Sequence, residues 1–440
     1  MKFYFFKASA SKIYCTGELL HVIQMSDLFM DSKTFVDMPT KYDDKIVMEN
    51  FGKLGKNPAK ADIERFLKDN FHPIGHDVSI VEPSDWTRKP SFLSKVADES
   101  LHEFGESLNF KWKNLLRKQD KSKMCSKCIT SVIETSNPFI VPGGRFIEYY
   151  YWDTYWVIDG LLSSDMVQTA HGLIRNFLEM VELNGFVPNG ARVYYLNRSQ
   201  PPLLAQMVDI YFKKTRDLDF LKYALNLLDI EYAFWMSERV YHHKSERDES
   251  KVFALNLYNA KSTEPRPESY KEDYINARES GNETNYYSNI ISAAESGWDF
   301  SSRWFNDPMD IKTIAISQIL PVDLNSIMLK NEKILYEYHK LLQSSSDKIE
   351  FYRQAIEDRE EAINEVLWDD KLNTWADFNY ATNKLNTRHL YISDLSPLWA
   401  GIKLKNEHIR VEDILVRYNS LLMDYKSGIP ASNIFSQQQW

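Results

Sequence analysis

The chain has 440 residues, of which 43% are hydrophobic and 14% aromatic, enough to bury a large core. Its formal net charge at pH 7 is −9, and this acidic balance argues against a nucleic-acid or anionic-lipid partner, since both bind basic surfaces. No run of about 18 apolar residues occurs, so the sequence predicts no membrane-spanning segment. These properties suit a neutral small-molecule substrate.

The N-terminal segment, residues 1–10, combines lysines with a short aromatic patch, and we assign it to a signal-peptide remnant or an unstructured start. Asn197 and Asn282 begin N-x-S/T sequons, which matter only in a secreted protein. Cys125 and Cys128 form a lone CxxC in a lysine-rich stretch, without a second CxxC or a nearby histidine. This pattern argues against zinc and indicates a surface loop with at most one local disulfide.

Helical periodicity dominates the chain and predicts long helices, the first of them capped by Asp217 or Asp219. The apolar stripes that carry this prediction are Phe220, Leu221, Ala224, Leu225, Leu228, Tyr232 and Trp235, then Leu324, Ile327, Met328, Leu335, Tyr338 and Leu342, then Ile349, Tyr352, Ile356, Ile363 and Val366. A serine-rich turn at 343–347 makes the last two an αα-hairpin. Residues 374–380 predict a β-hairpin. No linker or low-complexity segment divides the chain, and we interpret it as one domain.

The first of four polar loop segments is PGGRFIEYYYWDTYW, residues 142–156. Arg145 offers a rigid fork of donors that can grip vicinal hydroxyls or a carboxylate. Trp152 and Asp153 place a flat apolar face beside an acceptor, which suits a sugar ring with its apolar face and hydroxyl rim. A buried Arg–Glu–Asp network that ties helices together explains this segment equally well.

The second segment covers residues 185–202 and ends in two prolines. The prolines exclude a helix and restrict the loop backbone, so we expect the side chains of Asn189, Arg198 and Gln200 to be preorganised. A structural loop that satisfies its own backbone is the alternative. The length of the segment and its density of donors favour binding.

The third and fourth segments are RPESY and ESGWDFSSRW. In the third, Arg266 and Glu268 flank a proline and could hold hydroxyls from two sides, although taken alone they favour a surface salt bridge. In the fourth, Asp299 stands between Trp298 and Phe300, and an apolar surround raises a carboxyl pKa. A protonated carboxyl can act as a general acid on a glycosidic oxygen. Local sequence alone favours a helix-capping role for this aspartate.

Together the four segments resemble those of the trehalase family and occur in the same order. The upstream stretches 13–20 and 31–38 are also similar to the start of animal members. A motif string of this length is very specific. The resemblance implies an all-α fold, an (α/α)6 toroid incomplete at its C-terminus, with residues 11–440 forming a catalytic domain without its C-terminal part. It argues against a different helical-toroid glycosidase.

The resemblance also implies hydrolysis of α,α-trehalose to two glucose molecules, with inversion and without a cofactor or metal. It implies that Asp299 is the general acid. The residues that it places around the sugar are Arg145, Trp152, Asp153, Asn189, Arg198, Gln200, Arg266, Glu268 and Gly297. Inversion requires a second carboxylate roughly 6.5–9.5 Å from the acid to activate water.

The family's base is a glutamate near the C-terminus, and we expect it beyond residue 440. The last residues, QQQW, resemble only the beginning of the family's second signature. The resemblance gives the base role to none of Glu148, Glu268 and Glu295. Two expectations follow: the chain is part of an active trehalase, or it is an inactive remnant that binds sugar without hydrolysing it. Either way we expect no turnover by this chain alone, and a secreted or extracellular-facing location.

Overall fold

Helices make up most of the regular secondary structure. The computed structural model describes residues 10–245, 248, 250–405 and 408–438. Contacts divide the chain into two compact units. The first unit holds the described residues up to 180 together with 187–199 and 262–287, and the second holds 181–186, 200–261 and the described residues from 288 on.

The domain assignments stay predictions. Residues 1–9 lie outside the described residues, and Ala10 is buried in the core of the first unit. In the part of the chain that the structure describes, no helix is long and apolar enough to cross a membrane.

The α-helices, numbered in chain order, are α1 (Glu18–Gln24), α2 (Lys33–Val36), α3 (Asp44–Gly52), α4 (Lys60–Asn70), α5 (Glu99–Leu115), α6 (Asp153–Ser163), α7 (Val167–Asn184), α8 (Leu204–Thr215), α9 (Leu218–Glu238), α10 (Tyr270–Ser280), α11 (Glu283–Glu295), α12 (Val322–Leu341), α13 (Ser346–Val366), α14 (Ser396–Trp399), α15 (Val411–Val416) and α16 (Asn419–Met423). Short 3-10 turns connect several of them, including the turn Pro267–Ser269.

The strands are short and form small antiparallel sheets. They are β1 (Val78–Ile80), β2 (Leu116–Gln119), β3 (Phe139–Ile140), β4 (Val240–Lys244), β5 (Val252–Asn256), β6 (Ile319–Leu320), β7 (Trp368–Asp369), β8 (Thr374–Trp375), β9 (Phe378–Asn379) and β10 (Lys384–Leu385). The sheet orders are β1-β2-β3, β10-β9-β6, β4-β5 and β7-β8. In the register of the longest pair, Val240 lies opposite Asn256 and Lys244 opposite Val252.

The three predicted helices are present in the second unit. Asp217 caps α9 and its side chain accepts a hydrogen bond from the Phe220 amide, so the cap prediction is confirmed. Helices α12 and α13 pack against each other as the predicted αα-hairpin. Helix α13 begins at Ser346, slightly earlier than predicted, because Ser345 caps it by accepting from the Lys348 amide.

The hairpin prediction for residues 374–380 is wrong in detail. The segment contains two strands, but they do not pair with each other: β8 pairs with β7, and β9 pairs with β10 and β6. Each strand is only two residues long, and the pattern of aromatic residues does not distinguish one hairpin from two. Both tryptophans of the β7–β8 pair, Trp368 and Trp375, are buried in the core of the second unit.

A group of four buried charges anchors the first unit. Lys33 and Arg192 each form ion pairs with both Asp37 and Glu148, which balances two cations against two carboxylates. Burial raises the pKa of Glu148, but Arg192 and Lys33 outweigh that effect and the pKa is lowered. Arg192 also donates to Ser131 Oγ at 3.0 Å. We call Lys33, Asp37, Glu148 and Arg192 the buried charge quartet.

Removing one member of the buried charge quartet should destabilise the protein strongly. Arg192→Met leaves two buried carboxylates with one cation, and we expect a loss of about 3–5 kcal/mol in the free energy of unfolding, measured by urea titration. The matched control is Arg65→Met, which breaks an exposed pair with Asp62 and should have a much smaller effect. Similar losses for the two variants would contradict a structural role for the quartet.

Candidate active site

Three of the predicted site residues lie in direct contact in the first unit. Arg198 donates from Nε to Asn189 Oδ1 at 2.6 Å and from Nη2 to Glu268 Oε1 at 2.7 Å. All three side chains are buried. The backbone also joins two of them, since the Asn189 amide donates to the Arg198 carbonyl at 3.0 Å. Sequence segments far apart in the chain therefore meet at one guanidinium.

Glu268 lies in the 3-10 turn Pro267–Ser269, between two arginines in space. Burial raises its pKa, but Arg198 and Arg266 outweigh burial and the pKa is lowered, so its carboxylate is ionised at neutral pH. Arg266 itself forms a two-point ion pair with Asp273, at 2.7 Å through each nitrogen. The surface salt bridge considered for Arg266 and Glu268 is wrong, since both residues are buried.

Two polar atoms of this cluster have no hydrogen-bond partner among the described residues. They are Arg198 Nη1 and Glu268 Oε2, and both are buried. A buried donor or acceptor without a partner costs free energy, so such atoms in a native protein call for a ligand or water. The first is a pure donor and the second a pure acceptor. A hydroxyl group, which both accepts and donates, complements the two atoms.

A tyrosine supports the guanidinium from one face. The Arg198 guanidinium carbon lies 4.8 Å from the centre of the Tyr195 ring. The Tyr195 hydroxyl lies 2.8 Å from that of Tyr150, which donates to Glu148 of the buried charge quartet. Gly190 permits the close packing, because a Cβ there would lie 3.0 Å from the Tyr149 carbonyl oxygen and 3.1 Å from the Tyr195 ring.

The first loop segment is divided between two roles. Arg145 forms a two-point ion pair with Asp31, with both bonds at 2.7 Å, so its fork grips a carboxylate of the protein. Trp152 and Asp153 are half-buried, and Asp153 begins helix α6. Burial raises the pKa of Asp153. The network reading of this segment is correct for Glu148, which belongs to the buried charge quartet.

The remaining predicted site residues belong to the second unit. Gln200 is buried, and Gly297 follows helix α11 with φ of 73°, a conformation that favours glycine. Asp299 lies in an exposed turn between the half-buried Trp298 and Phe300. This corrects the expected apolar surround, because an exposed carboxyl keeps contact with water. Asp299 does not cap the following 3-10 turn, whose cap is Ser301.

The family model for trehalase matches residues 27–440 of this chain. A trehalase of Dictyostelium discoideum is 43% identical over 97% of this chain and 74% of its own length. A trehalase of Homo sapiens is 38% identical over 98% of this chain and 74% of its own. The chain belongs to the trehalase family.

A solved structure confirms the fold class. The neutral trehalase of Saccharomyces cerevisiae aligns with 67% of this chain and 57% of its own, at 24% identity and a TM-score of 0.55. The fold of this trehalase-family chain is therefore the predicted all-α (α/α)6 toroid class. Among the described residues, no group of three or more His, Cys, Asp or Glu side chains could hold a metal ion.

The trehalase-family segment ESGWDFSSRW contains two charged residues whose roles the sequence did not reveal. Glu295, the last residue of α11, is buried and forms a two-point ion pair with Arg239, at 2.8 and 3.0 Å. Arg303 donates to Asp377 at 2.7 and 2.9 Å and to Asp323 at 2.9 and 3.1 Å. Every partner lies 20 or more residues away in sequence, so local spacing gave no signal. These pairs hold both ends of the segment that presents Asp299.

Asp394 is a third acidic residue close to Arg303. Asp394 is buried, and its pKa is raised well above the usual value, first by burial and then by the charge of Asp377. It accepts from the Tyr418 hydroxyl at 3.0 Å and from the Tyr391 amide at 3.3 Å. Burial and the Asp377 carboxylate therefore both oppose ionisation of Asp394, and the nearby Arg303, which binds Asp323 and Asp377, offsets this effect only in part.

Replacing Asp394 by asparagine should change the pH dependence of stability. An acid whose folded pKa is raised contributes stability that is fully present below its unfolded pKa of about 3.9 and is lost as pH rises towards the folded pKa. Asparagine keeps the acceptor oxygen and cannot ionise. We therefore expect Asp394→Asn to raise the melting temperature more at pH 8 than at pH 4.

The control for that comparison is Asp219→Asn, a change at a highly exposed aspartate of α9. It should shift the melting temperature little and without the same pH trend. A gain for Asp394→Asn that is larger at pH 4 than at pH 8 would contradict a raised pKa for Asp394.

Proposed function

We propose that this chain binds α,α-trehalose and supplies the acid half of its hydrolysis to two glucose molecules. The observation that carries the proposal is the pair of unpartnered buried atoms, Arg198 Nη1 and Glu268 Oε2. A sugar hydroxyl can accept from the first and donate to the second. Hydrogen bonds to charged groups are stronger than neutral ones, so the pair can discriminate a correctly placed hydroxyl.

The chemistry of the cluster suits a neutral polyol better than an ion. The Arg198 and Glu268 charges already compensate each other, so neither requires a charged ligand. Further multi-donor side chains and an aromatic face come from the same four loop segments. We propose as sugar-contacting residues Arg145, Trp152, Asp153, Asn189, Arg198, Gln200, Arg266, Glu268 and Gly297. Arg145 and Arg266 would act while paired with Asp31 and Asp273.

We propose Asp299 as the general acid. In this scheme its carboxyl proton passes to the glycosidic oxygen as the bond to the anomeric carbon breaks. A base on the opposite face removes a proton from water, which attacks the anomeric carbon and inverts it.

We further propose a secreted or extracellular-facing location. Asn197 and Asn282, the two sequon asparagines, are both exposed. Cys125 and Cys128 form a disulfide, a bond that persists in oxidising compartments. Both features suit a protein that meets its substrate outside the cytosol.

The test of the acid assignment is Asp299→Asn in an active protein that contains this chain. We expect glucose release from trehalose to fall at least about 100-fold, the contribution of a positioned general acid. Trehalose affinity, measured by calorimetry, should change little, because the side chain keeps its size. Near-normal glucose release would remove Asp299 from the acid role.

A matched variant separates this effect from misfolding. Asp307→Asn alters another exposed aspartate of the second unit and should leave glucose release unchanged.

A further inference from the structure

The first unit contains a cavity lined by a disulfide, apart from the proposed sugar site. Cys125 and Cys128 are bonded to each other, which confirms the prediction of at most one local disulfide. Both line a cavity of about 690 Å³, a size typical of small-molecule pockets. Its apolar wall includes Ile129, Val132 and Leu196. The disulfide is therefore reachable from a space that can hold a small molecule.

The charge around this cavity is opposite to that of the whole protein. Residues 118–128 contain four lysines and one aspartate, a net charge of +3, whereas the chain carries −9. The charged residues that line the cavity are Lys121, Lys127 and Glu134, which leaves one net positive charge at the lining. Lys121 pairs with Glu134, whereas Lys127 has no partner within ion-pair distance among the described residues. A small molecule with negative charge would be attracted here.

The two sulfur atoms differ in their surroundings. Cys125 is exposed, whereas Cys128 is half-buried and is followed by the buried Ile129. Thr40 holds that residue from both sides, because Ile129 donates to Thr40 Oγ1 at 2.7 Å and the Thr40 amide donates to the Ile129 carbonyl at 2.8 Å. An incoming thiol therefore reaches Cys125 more easily than Cys128.

We propose that Cys125–Cys128 is a thiol–disulfide exchange site selective for small anionic thiols, which attack at Cys125. The apolar wall holds the body of the thiol, and Lys121 and Lys127 attract its carboxylates. The same cations stabilise the thiolate that leaves. This inference does not depend on the proposed hydrolysis.

The exchange is balanced in atoms and electrons. A thiolate forms a bond to Cys125 Sγ, the bond between the two cysteines breaks, and Cys128 leaves as a thiolate. A second thiolate then attacks the sulfur of the bound thiol and releases Cys125 as a thiolate. Two small thiols are thereby oxidised to one small disulfide, and the protein disulfide is reduced by two electrons to two thiols.

The test compares three thiols of different charge on the purified 440-residue chain. Glutathione is anionic, 2-mercaptoethanol neutral and cysteamine cationic. The loss of the Cys125–Cys128 disulfide is followed by rapid alkylation and peptide mass spectrometry, which distinguishes these two residues from Cys15, the third cysteine of the chain. Each rate is divided by the rate of the same thiol with a small uncharged disulfide, so that intrinsic reactivity cancels.

At low ionic strength we expect the normalised rate for glutathione to exceed that for cysteamine at least about threefold. The ratio should fall towards one at about 1 M salt, and trapped glutathione should be found on Cys125. Lys127→Gln should lower the ratio more than Lys118→Gln, which changes an exposed lysine outside the cavity lining. Equal normalised rates, adducts mainly on Cys128, or no exchange with any of the thiols would overturn the proposal.

Discussion

The proposed sugar site depends on the buried ion pair between Arg198 and Glu268. The pair leaves one donor and one acceptor unpartnered, and it brings together residues that lie 70 positions apart. Tyr195 packs against the Arg198 guanidinium and contacts Tyr150, which is hydrogen-bonded to Glu148 of the buried charge quartet. These contacts hold the pair in place. A buried ion pair contributes little net stability, because desolvation offsets the attraction. The two unpartnered atoms, rather than the stability of the pair, therefore favour ligand binding at this cluster.

The second unit also contains buried carboxylates grouped around one arginine, Arg303. Arg303 binds Asp323 and Asp377, and its charge lowers the pKa of the nearby Asp394 by less than burial and Asp377 raise it. The resulting rigid network flanks the turn that carries Asp299. Asp299 itself is exposed.

Features that depend on residues close together in the sequence were predicted correctly. The three-to-four spacing of apolar residues predicted the buried face of α9, and Asp217 was one of two residues predicted to cap it. The four loop segments were specific enough to indicate the family. The pairing of Arg145 with Asp31 was not predictable, since the two residues lie 114 positions apart and nothing local marks the partner. Asp299 was predicted to be surrounded by apolar residues because its two neighbours are aromatic. Adjacent residues, however, do not fix the direction in which a side chain points.

The most direct test of the sugar site is a crystal structure of the 440-residue chain with trehalose or glucose bound. One sugar hydroxyl should lie within about 3.2 Å of both Arg198 Nη1 and Glu268 Oε2. The ion pair between the two side chains should remain as it is in the free chain. A sugar bound elsewhere, with these two atoms hydrogen-bonded only to water or protein, would contradict the assignment of this cluster as the sugar site.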